Sequence, residues 1–149
     1  MADVRGVTGP WEDLLVECAG GSKEVIRVAS PFIKEAAANK LVDAKPTGVE
    51  LRYINAFKLQ YFYSGASDLA ALRVFLGAGG VVRNLQRLHS KLYLFDESRA
   101  IVTSANLTYG GLTGNFEYGV LIEQPAFLEQ VVDHFDTLFA SEEQTGSIT

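Results

Sequence analysis

The stretch from His89 to Glu117 gathers the residues best suited to chemistry: His89-Ser-Lys91-Leu-Tyr-Leu-Phe-Asp96, a turn, Ala100-Ile-Val-Thr-Ser104-Ala-Asn106-Leu-Thr108, a glycine-rich loop, and Asn115-Phe-Glu117. Side chains two apart along a strand share a face, so His89 projects with Lys91, and Ser104 with Asn106 where the next strand ends. Polar groups then converge from two neighbouring strands. Such a set suits attack on an anionic centre such as a phosphodiester, whose charge repels nucleophiles. That attack needs an activated nucleophile, cations or donors on the oxygens, and an acid for the leaving group. His89 supplies the first, and Lys91 with Asn106 the second. A neutral imidazole attacks through one nitrogen when the other donates to a carboxylate, for which Glu117 is the candidate. The acid has no candidate in the motif. The only other histidine, His134, sits in Val-Val-Asp-His134-Phe-Asp with no lysine two residues on.

These residues resemble the HKD motif of the phospholipase D superfamily, His-x-Lys-x4-Asp, followed by that family's Gly-Ser-x-Asn element and a downstream Asn-x-Glu. The resemblance implies His89 as nucleophile and Lys91 and Asn106 on the phosphate oxygens. It implies Ser104 as a further phosphate contact, Glu117 as the carboxylate orienting the nucleophile, and Asp96 as mainly structural. Where the family places glycine before the serine, this chain has Thr103. The fold implied is α/β, an α/β/α sandwich around a central mixed sheet.

The elements that must position these groups can be read along the chain. With 149 residues and 48% hydrophobic content, residues 1–149 are expected to form one domain with a single motif copy. Gly9-Pro10 reads as the entry to a helix burying Trp11, Leu14, Leu15 and Cys18, ended by Gly20-Gly21. Glu24 to Ala29 reads as a strand, with Ser30-Pro31-Phe32 breaking it, Ser30 as a turn residue, and a helix from about Lys34 to Leu41 after it. Val49 to Asn55 is a second strand. The aromatic run Phe57 to Tyr63 that follows is read as core or interface packing ahead of base contact. Ser67 or Asp68 is expected to cap a helix carrying Leu69, Leu72, Phe75 and Leu76. Val81 to Leu85 is a third strand, the motif supplies the fourth and fifth, and Phe116 to Ile122 a further one. Leu92 to Phe95 is apolar on both alternations, which places the motif at the centre of the sheet. Pro125 opens a last helix with Phe127, Leu128, Val131, Val132, Phe135, Leu138 and Phe139 on one face and His134 on the other. Residues 141–149 read as a polar tail or the start of a linker.

Composition narrows the compartment and the partners. The single cysteine, Cys18, forms no internal disulfide and no multi-cysteine zinc site, and is expected in the core. No leader-like or membrane-length apolar segment is present, so a cytoplasmic, soluble protein is expected. Net charge is −5, but from Leu69 to Phe95 there is no acid while Arg73, Arg83, Arg87 and Lys91 fall there; from Leu112 to Thr149 there are seven acids and no Lys or Arg. These features, with the resemblance, lead us to expect a phosphodiesterase with no metal or other cofactor. It would be an endonuclease acting on nucleic acid, with DNA preferred to RNA, through a phosphohistidine intermediate. Since the family's chemistry pairs two motif histidines, a homodimer with one composite site is expected, with targeting left to a separate domain or protein. The alternatives are a phospholipase D or phosphatidyltransferase acting on lipid, and a non-catalytic nucleic-acid-binding module.

Overall fold

The chain alternates strands and helices because apolar period-two runs alternate with apolar period-3.6 runs. The computed structural model describes residues 3–141 and 146–148. In order, the elements are β1 (Val4–Thr8), α1 (Glu12–Gly20), β2 (Val25–Ala29), α2 (Glu35–Ala44), β3 (Glu50–Asn55), α3 (Leu59–Tyr63), α4 (Leu69–Gly77), β4 (Val81–Asn84), β5 (Leu92–Phe95), β6 (Arg99–Thr103), β7 (Tyr118–Ile122), α5 (Pro125–Ala140) and β8 (Gly146–Ile148). A π-helical turn, Gly110–Gly114, joins β6 to β7.

The strands form one sheet in the order β1-β7-β6-β5-β2-β3-β4-β8, with β2, β3 and β4 mutually parallel and the remaining pairs antiparallel. Helices α1, α2 and α4 cover one face through Leu15, Cys18, Ala37, Leu41, Leu72 and Phe75. Helix α5 covers the other through Leu128, Val131, Val132 and Phe135. This is the expected α/β/α sandwich with a mixed sheet, and β5 lies inside it between β2 and β6. Cys18 is fully buried, and burial pushes its thiol up to about 11.

Several expectations need correction. Strand β1 was not foreseen: the run before Gly9-Pro10 pairs antiparallel with β7 from Val4 opposite Ile122 to Thr8 opposite Tyr118. Its residues are nearly all exposed, so no hydrophobic alternation marks it. Asp68 precedes α4, but its carboxylate does not cap that helix. It accepts instead from the Glu35 amide (2.9 Å) and pairs with Lys34 (2.8 Å) at the start of α2. Phe127 lies on the exposed side of α5. Of the expected polar tail, Gly146–Ile148 pairs with β4, and residues 142–145 and 149 lie outside the described residues.

Strand β2 is buried along its whole length, and it includes Arg27. A buried guanidinium requires partners; Arg27 donates to Asp136 of α5 (3.0 Å) and to the Asp96 carbonyl (3.1 Å). Asp96 closes the turn after β5 in the left-handed region (φ 55°), which Asp tolerates better than most residues. Its carboxylate accepts from the backbone N–H groups of Lys23 (2.9 Å), Glu24 (2.8 Å) and Val25 (2.9 Å). The motif aspartate thus ties β5 to the start of β2. Burial pushes its carboxyl up, but the hydrogen bonds from Val25, Lys23 and Glu24 and the nearby Arg27 outweigh that and hold it below the usual range. A depressed folded value stabilises the fold above the unfolded carboxylate range, near pH 4, and that contribution is lost as pH falls through the folded value. Asp96→Asn is therefore expected to be less stable than the wild type at pH 7, with the gap narrowing below about pH 4. Urea titrations of both proteins at the two pH values check this, and a gap independent of pH would contradict it.

Candidate active site

The strand registers bring the ends of six strands to one edge of the sheet. Ala29 lies opposite Leu92 and Ile54, Leu92 opposite Val102, and Thr103 opposite Gly119. Just past those positions stand Ser30 after β2, Lys91 before β5, Ser104 after β6 and Glu117 before β7. Asn55 and Asn84, opposite each other, end β3 and β4 at the same edge. Two further bonds carry the pairing beyond the ladders: Thr103 N–H donates to the Lys91 carbonyl (3.2 Å) and Ser104 N–H to the Tyr118 carbonyl (3.1 Å). His89 and Lys91 thus lie on an extended lead-in to β5 rather than within the strand.

Around this edge the polar groups are held unequally. His89 is exposed and, among the described residues, has no hydrogen-bond partner. Lys91 and Asn106 are half-buried. The Ser104 hydroxyl donates to Glu117 Oε1 at 2.7 Å and accepts from the Tyr118 N–H at 3.2 Å. Glu117 therefore rests on Ser104 and forms no hydrogen bond with His89. Asn106 Oδ1 accepts from the Phe32 N–H at 3.3 Å and lies 3.3 Å from the Ser30 hydroxyl, whose one proton is drawn to the Phe32 carbonyl at 2.7 Å.

Beneath these side chains two buried tyrosines fix the backbone. Tyr53 of β3 donates its hydroxyl to the Ser30 carbonyl (2.6 Å), and Tyr93 of β5 donates to the Ala105 carbonyl (2.9 Å), between Ser104 and Asn106. Burial pushes both phenols up, so both stay donors. Neither was singled out from the sequence, although a buried tyrosine hydroxyl requires a partner. Ser30, read as a turn residue, also belongs to this framework.

The departure at Thr103 has a local reason. Its hydroxyl accepts from the Ala105 N–H (3.1 Å) and lies 3.3 Å from the Tyr118 carbonyl. The missing side chain is across the sheet: a Cβ on Gly119 would stand 2.6 Å from the Thr103 Cβ. A glycine is equally required behind the asparagine, because a Cβ on Gly111 would overlap the Asn106 carbonyl and come within 2.8 Å of its amide nitrogen.

The surroundings are mixed. Of the basic run, Arg73 and Arg87 are exposed, whereas Arg83 stacks on the Phe139 ring of α5 at 4.9 Å. In the aromatic run, Phe57 and Phe62 pack on the core under α1, α2 and α4 and Tyr61 on the core under α5, while Leu59 and Tyr63 are exposed. Tyr109, Phe116 and Tyr118, beside Glu117 and the glycine loop, are also exposed. His134 lies exposed on α5. Among the described residues no three His, Cys, Asp or Glu side chains converge as metal ligands, and no helix is long and apolar enough to cross a membrane.

Residues 15–139 match the family of cardiolipin synthase, phospholipase D-like domains. The curated relative DISARM protein DrmC of Bacillus paralicheniformis is 49% identical over 35 residues, which span 24% of this chain and only 15% of that protein. Among solved structures, the phospholipase D family member Nuc from Salmonella typhimurium superposes with a TM-score of 0.74 at 20% identity, covering 97% of each chain. The archaeal chromatin protein TrmBL2, described as showing a novel mode of DNA binding, gives 0.66 at 16% identity over 99% of this chain and 54% of its own. Identities this low speak for the fold.

Proposed function

Because the chain belongs to the phospholipase D-like family, we propose that it is a metal-independent phosphodiesterase that cuts nucleic acid, with DNA as the preferred polymer. The observation that supports this most is the gathering at one sheet edge of an unencumbered imidazole, an ammonium, a preoriented carboxamide and a carboxylate–hydroxyl pair. Lys91 and the Asn106 Nδ2 donors hold the non-bridging oxygens and offset the charge that builds on them. A nitrogen of His89 attacks phosphorus, the bond to the leaving oxygen breaks, and a phosphohistidine forms. The leaving oxygen takes a proton from His89 of the partner subunit. Water then attacks the phosphohistidine, gives its proton back to that imidazole, and frees His89. In this reading Glu117 accepts from the attacking imidazole and Ser104 contacts the phosphate, once the hydrogen bond between the two is exchanged.

The second histidine comes from a second copy in this reading, since His134 lies on α5, which packs on the sheet through its opposite side. Exposed Tyr109, Phe116 and Tyr118 next to the site suit such a contact, because apolar groups bordering a site are commonly covered by a partner. A targeting domain or protein would act in addition to this catalytic unit.

The family's cardiolipin synthase description favours one alternative, transfer or hydrolysis at a lipid phosphodiester by the same residues. Turnover of bis-p-nitrophenyl phosphate, single-stranded DNA, duplex DNA and phosphatidylglycerol vesicles, each in EDTA, separates the two. The expected result is cleavage of the generic diester and of DNA, unchanged by EDTA, with intact vesicles. Activity lost in EDTA and restored by magnesium would overturn the metal-free chemistry, and cleavage of vesicles alone would overturn the polymer. Binding of DNA without turnover of any diester would leave a non-catalytic module.

A further inference from the structure

We propose that Ser30 is a positioning residue that fixes the Asn106 carboxamide with its NH2 toward the substrate; the inference rests on the phosphodiesterase reading. Ser30 follows the central strand β2 and is fully buried. Its hydroxyl lies 2.7 Å from the Phe32 carbonyl and 3.3 Å from Asn106 Oδ1, and it accepts from the Leu107 N–H at 2.9 Å. One hydroxyl therefore joins the turn after β2 to the segment that carries Asn106. A lone serine at a strand end most often serves its own turn, and the bond to Phe32 does that. The bond accepted from the Leu107 N–H crosses 77 positions of sequence and has no such local purpose, and the turn held through Phe32 presents the N–H that Asn106 Oδ1 accepts.

The oxygen and nitrogen of an asparagine amide are told apart by their partners. Here the partners decide. The Phe32 N–H can only donate, and it faces the same amide atom as the Ser30 hydroxyl. A flipped amide would set NH2 against N–H, so Oδ1 must point inward and Nδ2 outward. That leaves two donors for the oxygens of an anionic substrate. The Asn106 backbone is held as well, by the close approach of Gly111 and by the Tyr93 hydroxyl on Ala105. A donor aimed in advance at developing charge costs no reorganisation during reaction. Ser30 never touches the substrate, and its effect passes through Asn106.

Turnover of bis-p-nitrophenyl phosphate by wild type, Ser30→Ala, Asn106→Ala and the double variant tests the coupling. Ser30→Ala is expected to lower kcat on the order of tenfold to a hundredfold. In the Asn106→Ala background it should cost less than about twofold, because the group it positions is gone. Equal losses in both backgrounds would overturn the proposal. Ser98→Ala, which removes a hydroxyl bonded to the Phe95 carbonyl away from the site, should leave the rate unchanged. If alanine prevents folding, Ser30→Cys keeps the size with a weak donor and should move kcat in the same direction.

A second arm needs no activity. The Asn106 side-chain NH2 correlation, assigned by its loss in Asn106→Ala, should shift or broaden in Ser30→Ala and stay in place in Ser98→Ala. An unmoved correlation would overturn the positioning role whatever the rates. A moved correlation in a protein that turns over no diester would remove the phosphodiesterase reading and leave the link between Ser30 and Asn106 standing.

Discussion

His89→Ala is expected to fold as the wild type and to lose turnover by about a thousandfold or more. The two halves of that result have one origin. His89 is exposed and, among the described residues, unbonded, so its removal leaves no cavity and no orphaned partner. A surface change of that kind alters stability by within about 0.5 kcal/mol. In the proposed mechanism its imidazole is also the nucleophile, with Lys91 and Asn106 at the same sheet edge. Thermal unfolding and turnover of a generic diester measured on one preparation check both halves. A variant that retains a tenth or more of the wild-type rate would assign the nucleophile to another residue.

Gly111→Ala is expected to be nearly as damaging, although Gly111 has no side chain to offer a substrate. The new methyl group would meet the carbonyl and amide of Asn106, backbone atoms that cannot swing aside. Either the π-helical turn or the Asn106 segment must move, and Asn106 is also held from below by Ser30 and, through Ala105, by Tyr93. A displacement of about 1 Å at a group aimed at developing charge costs on the order of a hundredfold in rate. Gly114→Ala serves as the control, because its Cβ would meet only the Tyr109 ring at an ordinary 3.5 Å. Near-wild-type activity in Gly111→Ala, or an equal loss in Gly114→Ala, would show that the loop does not hold Asn106.

The contrast between these two positions marks how far the sequence could be read. His89, Lys91, Ser104, Asn106 and Glu117 stood out because period-two spacing and motif order lie within a few residues. The central place of Leu92 to Phe95 followed from apolarity on both alternations. Ser30, Gly111 and the two tyrosines act through contacts fixed only when strands distant in sequence align. Tyr93 bonds 12 positions away, Tyr53 bonds 23 away and Ser30 reaches 76 away. Strand β1 left no hydrophobic trace because it adds an exposed edge to β7. Local spacing points to Ser67 or Asp68 as the cap of α4, but it cannot reveal the partners on another segment that take them instead, the Ile33 N–H for Ser67 and Lys34 with the Glu35 N–H for Asp68. Within the basic run from Arg73 to Lys91, the side chain of Arg83 on β4 lies against Phe139 of α5, a contact that local spacing does not reveal.

The placement of Glu117 on Ser104 bears on the proposed mechanism. The carboxylate is held by the Ser104 hydroxyl, and among the described residues His89 has no hydrogen-bond partner. A second copy docking over Tyr109, Phe116 and Tyr118 would cover this edge and confine His89 between the two chains. Orientation of the nucleophile and supply of the acid would then both depend on dimer formation, and an isolated subunit would be inactive.

Mixing wild type with His89→Ala tests the composite site most directly. After verified subunit exchange at equal amounts, random pairing gives about one quarter wild-type dimers. If every site uses both copies of His89, turnover per wild-type subunit should fall by about half relative to the unmixed protein, leaving about a quarter of the activity of an all-wild-type sample of the same total concentration. Activity that instead tracks the wild-type fraction, at about one half, or full activity in a monomer by light scattering, would contradict the shared site.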